Sequence, residues 1–181
     1  MKVREFVENL SKLTPSKTSL SKLGYENFEV DDKINSYKLF PKRSFLSNNV
    51  IKSEVIDLIE CFDCSKLQIG ILEFWHTCKQ SENYVYFGTA DGDILGVNKH
   101  TLEVQIIDYL APNWVVFNCA SNGSYFLDAL IACVELYSKR IQNLTLAEDN
   151  QITYEYVLLS SKKAGGEKYI DFYKVLLGYD L

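Results

Sequence analysis

The stretch 84-YVYFGTADGDILGVNKHTLEVQII-107 decides the fold of this chain. It holds three strand-like runs, YVYFG, DILGV and EVQII, separated by turn residues at Asp91-Gly92 and Asn98-Lys99-His100-Thr101. Val85 and Phe87 alternate with Tyr84 and Tyr86, as on a pleated ribbon whose two faces differ. Ala90-Asp91-Gly92-Asp93 puts a glycine where a tight antiparallel turn needs positive φ, and its aspartates can accept bonds from nearby backbone N–H groups. Ile94, Leu95 and Val97 resume the apolar run, and Leu102, Val104, Ile106 and Ile107 close it. The reading is a three-stranded meander, and a sheet of that size needs a cover.

The cover comes next in the chain. Beyond Asp108 to Pro112, the run Trp114-Val115-Val116-Phe117 reads as one more strand, and Ala120 to Ser124 as a stop. Phe126, Leu127, Leu130, Ile131, Val134, Leu136 and Tyr137 then give the broad apolar face of a helix, with Ser124 as its expected cap and Lys139-Arg140 at the end that favours cations. This helix is expected to lie across the sheet.

Working outward, Val3, Phe6, Val7, Leu10 and Leu13 predict a short helix stopped at Thr14-Pro15-Ser16. Ser19 to Leu23 reads as another helical turn or a packed loop, ending at Gly24. From Tyr25 to Phe45 the pattern suits one or two short strands or an ordered loop. After Ser47-Asn48-Asn49, helix and strand compete over Val50 to Ile59. LQIGILEFW, residues 67–75, reads as a strand weakened at Gly70, and His76 to Asn83 as a polar link. ITYEYVLL, residues 152–159, alternates like a strand, Ser160 to Gly166 reads as a loop, and Glu167 to Leu177 as a last helix ended by Gly178.

The length of 181 residues fits a single domain spanning 1–181. Twelve Tyr and ten Phe are many for this size, and such rings fill sheet-to-helix space or serve half-wet binding faces. The net charge of −5 is uneven: residues 61–135 carry 3 Lys/Arg against 9 Asp/Glu, whereas residues 1–60 carry 10 against 9. That sign excludes a nucleic-acid partner and favours a basic protein partner, although acidic residues also simply keep proteins dispersed. Five cysteines, no leader-like start and no apolar run of about 18 residues are expected of a cytoplasmic chain with no membrane contact.

Candidate chemistry is sparse. Cys61-Phe62-Asp63-Cys64 is a C-x-x-C followed by His76 and Cys78, but a zinc site needs a second pair at workable geometry, so reduced structural cysteines and no metal are expected. A hydrolytic set of Cys64, His76 and a carboxylate is the remaining enzyme reading. His76 and His100 fall in predicted links, where surface roles suffice. The run Gly88 to Asp93 lacks the lysine of a phosphate loop and the distal ligands of a calcium loop. No cofactor is expected.

FGTADGDILGVNKHTLEVQIID, followed by NCASNGSYFLDALIACVELY, resembles the SUKH superfamily of bacterial immunity proteins over residues 72–137. There, a strand pair of the form FG…GD…hhhD…G.V leads to a small polar residue and a Phe-bearing helix. Two departures stand out: Lys99-His100-Thr101-Leu102-Glu103 replaces the glycine usual between the second and third strands, and the first third lacks a Leu-Pro step before a helix. The resemblance implies an α+β fold, a mostly antiparallel twisted sheet with helices packed on it, and no enzyme activity.

It also implies a cytoplasmic immunity protein that binds a cognate polymorphic toxin, such as a basic nuclease domain, through an acidic surface. The expected contacts are Asp91, Asp93, Glu103, Asp108 and Glu82, with Trp75, Tyr84, Tyr86 and Trp114 as aromatic anchors, each of which also suits core packing. An intracellular regulatory adaptor on the same scaffold is the alternative, and an exposed edge strand leaves room for a homodimer.

Overall fold

In the computed structural model, which describes residues 1–42 and 51–179, the meander forms as read. β5 (Tyr84–Ala90), β6 (Asp93–Asn98) and β7 (Val104–Ile107) are consecutive antiparallel neighbours. Asp91 (φ 49°) and Gly92 (φ 91°) are the two central residues of the β5–β6 turn, and Ala90 pairs with Asp93 across it. Positive φ at both positions matches the twist of the flanking strands, which is why Asp-Gly serves here.

The sheet is larger than the meander. β3 (Gln68–Ile69), β4 (Leu72–Gln80) and β8 (Val115–Ala120) complete a curled six-stranded antiparallel sheet in the order β3-β4-β5-β6-β7-β8. Two expectations are corrected here. Residues 67–75 are a hairpin rather than one strand, because Gly70 (φ 58°) makes the turn and Ile69 pairs with Leu72. His76 to Gln80 are not a link: β4 runs on through them, and they are polar because their side chains are largely exposed.

Helices cover one face. α1 (Val3–Lys12), α4 (Glu54–Cys61) and α5 (Gly123–Gln142) pack with the sheet around a buried cluster that includes Phe6, Leu10, Ile56, Ile59, Phe87, Leu95, Phe126 and Leu130, while α2 (Lys17–Lys22) packs on other helices. α4 settles the competition over residues 50–59 for a helix, with Val55, Ile56, Leu58 and Ile59 buried. Residues 43–50, including Phe45 and the run Ser47 to Val50, lie outside the described residues. The cap of α5 is Asn122, whose side chain accepts the Tyr125 N–H at 3.0 Å, rather than Ser124, which is engaged by Met1.

Two further expectations are overturned. Residues 27–36 form helix α3 (Asn27–Ser36), started by Glu26 and Glu29, and Val30, Ile34 and Tyr37 share its inner face; among the described residues of this region the one strand is β1 (Phe40–Pro41), paired with β2 (Phe62–Asp63). Residues 152–164 are neither strand nor loop but part of α6 (Asn150–Ala164), capped by Asp149, whose side chain accepts the Ile152 N–H at 3.0 Å. The face of α6 turned inward is Thr153, Val157, Ser160, Ser161 and Ala164, while Tyr154, Leu158 and Leu159 are exposed. Small side chains at helical spacing let α6 lie close against α5, and their hydroxyls are satisfied: Thr153 donates to Asp149 O and Ser161 to Gly166 O, both at 2.8 Å. α7 (Ile170–Leu177) ends at Gly178 in the left-handed region, as read.

The β6–β7 turn resolves the missing glycine. Asn98 accepts the His100 and Thr101 N–H groups on its side chain, and Leu102 takes the left-handed conformation (φ 63°) with 39% of its surface exposed. A branched residue there carries strain that glycine avoids, partly offset by glycine's greater entropy loss. Leu102→Gly is therefore expected to stabilise the fold by about 0.5 kcal/mol. Urea unfolding midpoints test this, and a clear loss of stability would show that the leucine's packing outweighs the strain.

Candidate functional site

The register sorts the candidate residues into three places. On the sheet face away from the helices, Tyr86 pairs with Gly96, Gly96 with Gln105, and Gln105 with Asn118, so these side chains share one face. Tyr84 stacks on Tyr86 with ring centroids 5.8 Å apart, and its hydroxyl donates to Gln105 Oε1 at 3.0 Å. Gln105 Nε2 in turn donates to Asn118 Oδ1 at 2.8 Å. This polar ladder spans four strands, β5 to β8, passing over Gly96, where a Cβ would sit 2.9 Å from the Tyr86 ring. Tyr84 is thereby 8% exposed and already engaged, whereas Tyr86 and Trp75 are half-buried, with the Lys79 ammonium 4.6 Å from the Trp75 ring.

The second place is the end of the sheet at the β5–β6 turn. Asp91 is exposed on that turn, Asp93 starts β6, and Asp108 follows β7 directly. The side chain of Asp93 accepts the Tyr109 N–H at 3.1 Å, and Asp108 Oδ1 accepts the N–H groups of Leu110 and Ala111 at 2.7 and 2.8 Å. These bonds shape the loop between β7 and β8, which presents Tyr109 (65% exposed), Leu110 (89%) and Trp114 (68%). Among the described residues, none of the three aspartates has a salt-bridge partner. Sequence reasoning missed Tyr109 and Leu110; the available signal was an aromatic-leucine pair set between a turn-forming aspartate and Pro112.

The third place is the opposite end. Glu82 is exposed on the β4–β5 turn. Glu103 is held by the Lys168 ammonium and accepts the Tyr169 hydroxyl at 3.0 Å, so its charge is neutralised within the fold. Burial, reinforced by that carboxylate, pushes the Tyr169 phenol up to about 12. The carboxylates Asp91, Asp93 and Asp108 come together; Glu82 and Glu103 do not join them.

The cysteine-histidine set does not assemble. Cys64 is buried with its sulfur toward Leu58 O, and burial is the main reason the thiols of Cys64 and Cys78 are pushed up to about 12, far from a thiolate at neutral pH. His76 Nδ1 lies 3.1 Å from Asp63, not beside Cys64. Among the described residues, no group of three or more His, Cys, Asp or Glu is placed to hold a metal, and no helix is long and apolar enough to cross a membrane.

Asp63 gives a pH-dependent test of the local structure. Its carboxyl is lowered from 3.8 to about 2, first by the Ser65 hydroxyl (2.7 Å) and N–H (3.1 Å), then by His76. A depressed carboxylate stabilises the fold fully above pH 3.8 and loses that contribution as pH falls through about 2. The side chain is 45% exposed, so solvent screening keeps the contribution well below about 1 kcal/mol. Ser65→Ala is expected to return the Asp63 pKa toward 3.8, as read by carboxyl NMR titration.

No protein-family model, curated protein or solved structure matches this chain.

Proposed function

We propose that this chain is a non-catalytic binding module of the immunity type, related to the SUKH superfamily, that acts in the cytoplasm by sequestering a cognate toxin with a basic nuclease surface. The observation that carries the reading is the sheet end where Asp91, Asp93 and Asp108, without cationic partners among the described residues, border exposed Trp114, Leu110 and Tyr109. Apolar side chains that desolvate at the centre of a contact supply affinity, and surrounding carboxylates steer a Lys/Arg-rich partner into register. A nuclease surface built to hold phosphate offers such cations. Tyr86 and Trp75 on the open sheet face extend the contact.

The test begins with low-salt capture of the partner from cells that make both proteins, followed by calorimetry on the two purified proteins. Asp91→Asn, Asp93→Asn and Asp108→Asn are combined, because asparagine keeps the turn acceptors and removes only charge. The combined variant is expected to bind at least about tenfold more weakly at low salt and to lose most of the salt dependence. Unchanged affinity and salt slope would remove this end of the sheet as the docking surface.

A further inference from the structure

A cavity of about 350 Å3 lies on another side of the molecule, between α3, the β3–β4 turn and the C-terminal part of α5. Its walls combine apolar side chains, among them Leu23, Ile141 and Leu144, with three tyrosines, Tyr25, Tyr37 and Tyr137. Gly70 is required at its floor: a Cβ there would lie 2.5 Å from the Tyr137 hydroxyl oxygen. A volume in this range and a mostly apolar lining with a few convergent polar groups are what small-molecule sites share.

Its charged groups are all cations. Lys33 and Arg140 both line it, and no carboxylate does. Among the described residues, neither cation has a salt-bridge partner. Arg140 is fixed by Nη1 donating to Leu177 O at 3.0 Å and Nη2 donating to Thr153 Oγ1 at 2.6 Å, and its Nε is buried with no acceptor. Burial holds the Lys33 ammonium below the usual lysine pKa, with no carboxylate opposing that shift. Tyr37, 6% exposed, lines the cavity, and its hydroxyl makes no hydrogen bond among the described residues.

An adjoining groove shares Tyr25, Lys33 and Gln68 but adds Glu29 and Asp32. With Lys66 also in its lining, that groove is charge-balanced, whereas the inner end carries two cations and no carboxylate, so an anion is favoured at the inner one.

We propose that this cavity binds a small organic anion, with a carboxylate taken by Lys33 and the Tyr37 hydroxyl near Arg140 and an apolar body of about a dozen non-hydrogen atoms against Leu23, Ile141 and Leu144. Such a ligand supplies the acceptor that the Tyr37 hydroxyl lacks and the counter-charge that Lys33 and Arg140 lack. The inference does not depend on the protein-binding reading, since none of the cavity residues belongs to the acidic end of the sheet.

The test titrates the isotope-labelled chain with phenylbutyrate and, separately, with neutral phenylbutyramide, following backbone amides by NMR. Phenylbutyrate is expected to shift the amides of Tyr37, Gly70 and Arg140 saturably, and the amide analogue to bind at least about tenfold more weakly. Lys33→Met and Tyr37→Phe are each expected to weaken the acid with unchanged unfolding midpoints, whereas Lys66→Met, in the outer groove, leaves it unchanged. Equal binding of acid and amide, or an affinity indifferent to Lys33→Met, overturns the anion site. Absence of saturable shifts at the cavity amides overturns the cavity as a site for this ligand class.

Discussion

Phe126→Ala is expected to cost about 4 kcal/mol of folding stability, within the range for truncating a fully buried aromatic. Phe126 is 0% exposed on α5, and its ring meets Phe87 edge-on with centroids 6.1 Å apart. Phe87 in turn stacks against Phe74 at 6.3 Å, so one chain of rings joins the helix to β5 and β4. Truncation leaves a void bounded by strands that pair on both sides, which limits collapse around it. For a chain of this length, the loss corresponds to a fall in melting temperature of roughly 10 °C. Phe28→Ala, at a position 65% exposed, is the matched control and should move stability by less than about 0.5 kcal/mol. Equal effects at the two positions would mean that α5 does not close the core.

Gly88→Ala should be nearly as damaging, at about 3 kcal/mol, for a different reason. An added Cβ at Gly88 would lie 2.4 Å from the backbone oxygen of Glu73 on β4, and a paired strand cannot swing aside as a side chain can. The register shift between Tyr86 and Gly88 marks a bulge at the same point, and bulges bend and twist the strand that carries them. Gly92→Ala offers the comparison: nothing lies within 4 Å of its Cβ position, so only the positive φ opposes the substitution, at about 1 kcal/mol. Chemical unfolding of both variants separates the effects. A Gly88→Ala no worse than Gly92→Ala would mean that β4 and β5 do not approach closely there.

The elements legible in the sequence are those whose signal is local and made of large side chains or turn chemistry. The Asp91-Gly92 turn, the β-branched runs around it, the apolar stripe of α5 and the Gly178 stop all form as read. α6 was illegible because its buried stripe is threonine, serine and alanine, while its tyrosine and leucines, which drew the strand reading, face outward. α3 was illegible because Phe28 and Val30 look alternating until Ile34 and Tyr37 are set beside Val30 at helical spacing. The acidic residues were visible as a set, but register alone decides which share an end of the sheet. Glu103 in particular is neutralised by Lys168, which no local pattern links to it. The cavity had no sequence signature at all, since Lys33 and Arg140 meet only through packing.

The Lys42 ammonium donates to the backbone oxygens of Ile59, at 2.6 Å, and of His76. His76 lies in the register break of β4 between Phe74 and Lys79, where the Lys42 ammonium ties its carbonyl to the C-terminal turn of α4. A single cation thus satisfies two carbonyls, one on a helix and one on a strand, in the manner of charged residues that keep strands from pairing with a second chain. Carbamylation or acetylation of this one amine would free the His76 acceptor, making position 42 the natural place to look when stored material gains β-rich aggregates.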